Sequence, residues 1–147
     1  MIIDVRKLKM TGKENYDFSF EYNPDNSIIT LPDAKFEDSV KITGTLTLGG
    51  NDVFVNGKIE YNILGVCSRC LESANFHNIV EFDEEFSDSN EETEAYHYSK
   101  GLVDLTKMVN DKIILSIPYT IYCKDDCKGL CPVCGANLNK TDCNCQK

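Results

Sequence analysis

No apolar run in this chain approaches the roughly 18 residues that would suggest a membrane span. The opening Met1-Ile2-Ile3-Asp4-Val5-Arg6-Lys7 lacks the hydrophobic stretch of a secretory signal. A membrane or exported protein is therefore not expected, and the expected location is the cytoplasm. There is no glycine-rich phosphate cradle, because Gly49-Gly50 has neither the spacing nor the following lysine. Histidine is limited to His77 and His97, and neither stands in a nucleophile-and-base arrangement. No pair of carboxylates is marked out as general acid and base. These absences argue against an enzyme. Basic residues are also scarce, with 15 Lys and Arg against 24 Asp and Glu and a net charge of -9.

That acidity is local. Between Glu81 and Glu94 lie Glu81, Asp83, Glu84, Glu85, Asp88, Glu91, Glu92 and Glu94, with no Lys or Arg among them. The rest of the chain is nearly neutral, so phosphate repulsion need not apply to every face. A block of like charge reads first as a solvated loop. Its sharper reading is a docking surface for a basic partner such as a ribosomal protein. The densest basic group, Arg6, Lys7, Lys9 and Lys13, reads as a charged edge that discourages sheet aggregation.

The 147 residues suffice for one domain with a real core and a small appendage. Tyr16, Phe18, Phe20 and Tyr22 alternate with polar residues, the period of a half-buried strand. Val40, Ile42, Gly44, Leu46 and Leu48 form the next inward row. Gly49-Gly50-Asn51-Asp52 is a hairpin signal, and Val53, Val55, Gly57, Ile59, Tyr61 and Ile63 follow on one face. Ala74, Phe76, Val80, Phe82 and Phe86 continue in step. Consecutive long alternating strands predict an antiparallel, barrel-like sheet. One good helix is expected, capped by Asp104, carrying Leu105, Met108, Val109 and Ile113, closed by Pro118 and covering the sheet. The fold class is thus β-rich α+β, with a domain over 1–122 and a cysteine-rich tail over 123–147.

Eight cysteines are the chemistry of this chain. Without an export signal they read as metal ligands rather than disulfides. Six fall between Cys123 and Cys145, where large apolar side chains are too few to offset the entropy of ordering. Zn(II) held by thiolates would supply the missing stabilisation. Cys131-Pro132-Val133-Cys134-Gly135 has the pattern of a zinc knuckle. The first site expected is Cys131, Cys134, Cys143 and Cys145, although Cys127 could replace either member of the close Cys143/Cys145 pair. Cys67 and Cys70 form a second chelating pair, for which Cys123 and Cys127 are the remaining partners. A redox role for Cys67-x-x-Cys70 is disfavoured, because a strand follows rather than a helix.

Three stretches carry a resemblance. Cys67-Ser68-Arg69-Cys70-Leu71-Glu72 resembles the Cys-x-Arg-Cys-Leu motif of the YceD family, the large ribosomal RNA subunit accumulation proteins. The segment from Asp104-Leu105 to Ile117-Pro118 is similar to that family's helix-to-proline stretch. Cys127 through Asn139 with Cys143-Asn144-Cys145 resembles the tail of its cysteine-rich branch. The resemblance implies a non-enzymatic factor for accumulation of large-subunit ribosomal RNA. It would act in precursor processing, stability or assembly, by binding a ribosomal RNA precursor or a basic ribosomal or assembly protein. Arg69 would then be either a salt bridge to its own sheet or, with Arg6, Lys7 and Lys9, part of a face meeting phosphate or a partner. A zinc-bound thiol switch sensing oxidation or metal supply is the alternative of a different class.

Overall fold

The structure, a computed structural model, describes residues 1–89 and 94–145. Strand β1 (Ile2–Asp4) runs into helix α1 (Val5–Met10). Strands β2 (Asn15–Tyr22), β3 (Lys35–Phe36), β4 (Val40–Gly49), β5 (Asp52–Val66), β6 (Ser73–Ser87), β7 (Tyr96–His97) and β8 (Leu102–Asp104) follow, and then helix α2 (Thr106–Ser116).

The main sheet has the order β2-β4-β5-β6-β7, with β3 paired to the far end of β5. Alternation places its side chains as expected: Val40, Ile42, Leu46, Val53, Val55, Ile59, Tyr61 and Ile63 are buried, while Lys41, Thr43, Asn56 and Lys58 are exposed. Gly44 and Gly57 face each other across β4 and β5. A Cβ at Gly44 would collide with the carbonyl of Asn56, and one at Gly57 with that of Thr43, so these two positions require glycine. The longest ladder pairs β5 with β6 from Asp52↔Ser87 to Val66↔Ser73. Its turn is the segment Cys67–Glu72, so one chelating pair caps the tip of a hairpin whose two strands have 15 residues each.

Two corrections concern this sheet. It is not closed into a barrel: among the described residues β2 and β7 end it. It is also not wholly antiparallel, because β7 runs parallel to the end of β6. The physical reason for the open form is a second layer. The β1–β8 ribbon adds Ile3 and Val103, α1 adds Val5, and α2 with its N-cap Leu105 adds Met108, Val109 and Ile113 to the same core as the sheet's inward row.

Helix α2 begins at Thr106, two residues beyond the expected cap. Asp104 ends β8, and its carboxylate still accepts from the Thr106 N–H at 2.9 Å and hydroxyl at 2.7 Å. Pro118 has the anticipated effect, since Ile117 is extended and the helix stops at Ser116. Helix α1, with Asp4 as its N-cap, was not expected from the sequence. The acidic run is likewise corrected in part. Glu81, Asp83, Glu84 and Glu85 lie in β6 rather than in a loop, and Glu84 pairs with Lys112 of α2. Glu91 and Glu92 lie outside the described residues. No helix among the described residues is long and apolar enough to cross a membrane.

Candidate metal centres

At the tip of the β5–β6 hairpin the chain folds back on itself. Cys67 N–H bonds to the Glu72 carbonyl at 2.7 Å, and Leu71 N–H to the Cys67 carbonyl at 3.0 Å. Closing this turn puts Leu71 at φ 63, a left-handed conformation that costs a non-glycine residue about 1–2 kcal/mol. The tail reaches the tip because Ser68 N–H bonds to the Ile121 carbonyl at 2.9 Å. Cys123 and Cys127 then arrive opposite Cys67 and Cys70.

The Sγ atoms of Cys67, Cys70, Cys123 and Cys127 all lie within 4.8 Å of one another. Cys67 and Cys127 are 3.7 Å apart, and Cys70 and Cys123 are 3.6 Å apart. A tetrahedral ion with metal–sulfur bonds near 2.3 Å has sulfur–sulfur edges of about 3.8 Å. The separations match such edges and are far longer than a disulfide. Cys67, Cys70 and Cys127 are buried and Cys123 is exposed.

The second set is Cys131, Cys134, Cys143 and Cys145, again all within 4.8 Å. Its turn repeats the first. Cys131 N–H bonds to the Ala136 carbonyl at 2.8 Å, and Gly135 N–H to the Cys131 carbonyl at 2.9 Å. Here the left-handed position, at φ 74, is a glycine. Cys131 is buried, Cys134 exposed, and Cys143 and Cys145 half-buried. Cys127, which the sequence left free to join this set, sits with Cys67 instead.

Backbone amides prepare both sets for anions. Burial works against ionising Cys67, yet the N–H groups of Cys70, Cys123 and Arg69 pull its thiol down to about 6. The Cys131 thiol is also drawn down to about 6, by the N–H groups of Cys134 and Val133. The opposite members resist. Desolvation and then the neighbouring sulfurs push Cys123 up to about 12. The Cys134 sulfur first, and then desolvation, does the same to Cys145. Four sulfurs this close cannot all ionise without a cation among them. The donor chemistry, all sulfur and four per site, suits a soft or borderline divalent ion.

Asn139 was not singled out by the sequence, although it lies in the spacer between Cys134 and Cys143. Its Nδ2 donates to Cys127 Sγ at 3.4 Å and to Asn137 Oδ1 at 3.1 Å, and its Oδ1 accepts from Lys128 N–H at 2.9 Å. A polar residue in a polar spacer gives no sequence signal of such a reach. Among the described residues Arg69 forms none of the ion pairs, so the expected salt bridge to its own sheet is not made. Its Nη1 donates to the carbonyls of Asp125 and Cys127, each at 3.3 Å, and its guanidinium lies 4.3 Å from the centre of the Tyr122 ring. Arg6, Lys7 and Lys9 lie on α1, a different element, and Arg6 is held by Asp4 through two bonds of 3.1 Å. His77 pairs with Glu60 across the outer face at 2.9 Å and takes no part in either sulfur set.

An open β-sheet whose hairpin tip is joined to the tail by one cysteine tetrad, with a second tetrad inside the tail, defines a β-rich protein with two sites able to hold metal. Residues 55–147 match the family model described as large ribosomal RNA subunit accumulation protein YceD, and the chain belongs to that family. It is similar to an uncharacterized protein of Mycobacterium leprae, 30% identical over 94 residues, covering 59% of this chain and 43% of the relative. An uncharacterized protein of Mycobacterium tuberculosis is 31% identical over 93 residues, covering 58% and 45%. The chain therefore spans less than half the length of these relatives. The chloroplastic large ribosomal RNA subunit accumulation protein YCED homolog 1 of Arabidopsis thaliana is 46% identical over 43 residues, which is 29% of this chain and 13% of that protein. No solved structure matches.

Proposed function

We propose that this chain is a non-enzymatic factor supporting accumulation of large-subunit ribosomal RNA, and that it acts by docking on a basic ribosomal or assembly protein in the cytoplasm. Membership of the YceD family carries the first half of this reading. The second half draws on β6, where Glu81, Asp83 and Glu85 stand exposed along one outer edge row, with Lys58 paired to Glu81 at 4.0 Å. Such a row steers a basic surface and repels phosphate. The expected basic face for RNA is weakened by what its members do: Arg69 is engaged by the tail and Arg6 by Asp4.

In this reading Zn(II) occupies both sulfur sets and serves structure. Cys67, Cys70, Cys123 and Cys127 would hold one ion, and Cys131, Cys134, Cys143 and Cys145 the other. Bound zinc supplies fixed positive charge that lets all four thiolates of a set coexist. The chain's own contribution is to aim backbone N–H groups and the Asn139 amide at the sulfurs. A pull-down from lysate with and without ribonuclease tests the docking proposal. Retention of a basic ribosomal or assembly protein after digestion is expected, with its loss on Glu81→Gln, Asp83→Asn, Glu85→Gln. Loss of every ribosome-associated partner on digestion would replace protein docking by RNA binding.

A further inference from the structure

The two halves of the hairpin site are held very differently. Cys67 and Cys70 sit at the end of the β5–β6 ladder, whereas no helix or strand supports the chain between Ser116 and Cys127. The sulfurs of Cys123 and Cys127 nevertheless meet partners 53 and 60 positions away. Closing so large a loop has an entropic cost that contacts between tip and tail must offset. Ahead of Cys123 the tail is anchored by Ile121, which is buried and whose carbonyl accepts from Ser68 N–H at 2.9 Å. From Tyr122 to Cys127, apart from the sulfurs themselves, the side chain that reaches from the tip is Arg69. Its guanidinium lies 4.3 Å from the centre of the Tyr122 ring, and its Nη1 donates to the carbonyls of Asp125 and Cys127 at 3.3 Å each. One planar group thus grips the residue before the first distant ligand and the backbone of the second.

We propose that Arg69 is the positioning residue of the hairpin site: it docks the Cys123–Cys127 loop on the tip before metal arrives, so that an ion meets four sulfurs already gathered. The proposal rests on reading the tetrad as a metal site and adds which residue assembles it. The chemistry of the side chain suits the task. A guanidinium is planar and weakly hydrated, so it can face an aromatic ring and still bond to carbonyls in its own plane. A lysine ammonium is a compact, strongly hydrated charge and holds such a pair of contacts less well. Sign matters as well as shape. Four thiolates around a divalent ion keep net negative charge. Arg69 stands in the chain between Cys67 and Cys70 and forms none of the ion pairs among the described residues, so no carboxylate competes for its charge. The tail set needs no equivalent residue, because its sulfurs all lie between positions 131 and 145.

Two measurements on the full chain test this. In the first, the reduced, metal-free chain is treated with a short bifunctional thiol reagent and mapped by mass spectrometry. The wild type should yield crosslinks joining Cys67 or Cys70 to Cys123 or Cys127. Arg69→Met keeps an apolar stem without the guanidinium and should yield about tenfold fewer, with Arg69→Lys in between. In the second, zinc-loaded chains give up metal to a chromophoric chelator. Arg69→Met should release the hairpin ion about ten- to hundredfold faster. The tail ion, identified as the one that a Cys67→Ser chain still carries, should leave at the wild-type rate. Tyr122→Leu should accelerate hairpin release less than Arg69→Met does, and Tyr122→Phe should not accelerate it; this pair carries the comparison if Arg69→Met fails to unfold cooperatively. Absence of tip-to-tail crosslinks in the metal-free wild type, equal crosslinking by Arg69→Met, or unchanged hairpin release would each overturn the proposal. Unchanged release is also what a phosphate-contacting Arg69 would give. A wild type that binds no zinc yet shows Arg69-dependent crosslinking would end the metal reading and uphold the docking role of Arg69.

Discussion

The side-chain amide of Asn139 donates to Cys127 Sγ at 3.4 Å, although Asn139 belongs to the loop enclosed by the other sulfur set. One side chain therefore ties the two candidate centres together. Replacing it removes a bond to a thiolate and also leaves Lys128 N–H without its acceptor. Asn139→Ala is expected to destabilise the chain by about 1–3 kcal/mol. Loss of the Cys127 contact should weaken metal retention at the hairpin site ten- to hundredfold, on the order seen for outer-shell partners. Metal transfer to a chromophoric chelator, followed over time, measures this, and unchanged transfer would deny the coupling.

Protein purified under reducing conditions should carry about two zinc ions per chain, as two four-sulfur sites require. Cys131→Ser should remove one and Cys67→Ser the other. Eight readily alkylated thiols with no metal would end the zinc reading.

Accessibility ranks the two sets. Cys134 is exposed and Cys143 and Cys145 are half-buried, whereas three of the four sulfurs at the hairpin tip are buried. Mild alkylation should modify Cys134, Cys143 or Cys145 before Cys67 or Cys70, as peptide mapping would reveal. A zinc-bound thiol switch would further require that mild oxidation release metal reversibly from the tail set. Irreversible or negligible release speaks against that alternative.

Tyr96 joins β7 to α2 by donating to Asp111 at 3.0 Å. Lys107 bonds to the same carboxylate at 2.9 Å, and that bond, with the Tyr96 hydroxyl, holds Asp111 below its ordinary value. Burial, and then this carboxylate, pushes Tyr96 up to about 12. The signs differ. The depressed Asp111 contributes stability that is complete above the usual carboxylate range and lost as pH falls through its folded value. The raised Tyr96 contributes stability present below an ordinary tyrosine pKa near 10 and lost as pH rises through about 12. Tyr96→Phe should flatten the alkaline loss in a melting-temperature profile, and an unchanged profile would remove Tyr96 from the account.

Deleting residues 123–147 takes away two sulfurs of the hairpin site and all four of the tail site. The sheet and α2 keep their shared core, so cooperative unfolding should survive at a lower melting temperature. Loss of cooperativity would mean that the tail belongs to the same folding unit as the sheet.

Long strands were legible because side-chain direction has a strict period of two, visible over the inward rows from Val40 to Leu48 and Val53 to Ile63. Strands β1 and β8, with three residues each, are too short to have a period, and α1 is too short to declare an apolar face. The start of α2 was misplaced because the Asp104 carboxylate bonds to Thr106 from just outside the helix. Closure was misread because β alternation does not tell whether an inward face meets another strand or a helix. Cysteine spacing revealed the two chelating turns. The place of Cys127 was undetermined because a contact across 60 residues is decided by where a hairpin tip comes to rest. Arg69 was legible as special, but its partners, two carbonyls and a tyrosine ring, leave no trace in charge pattern.

The hairpin site has a consequence for the order of folding. Cys70 and Cys123 are separated by 53 positions, so their meeting closes a large loop and waits on registration of the β5–β6 ladder. The tail set spans only residues 131 to 145 and closes locally, at a smaller entropic penalty. During synthesis the sheet is complete before either tail sulfur of the hairpin site has been added. The nascent chain thus presents a finished hairpin with two open thiols until Cys123 and Cys127 are added, and the tail set, whose sulfurs run from Cys131 to Cys145, receives its ligands last but closes them locally.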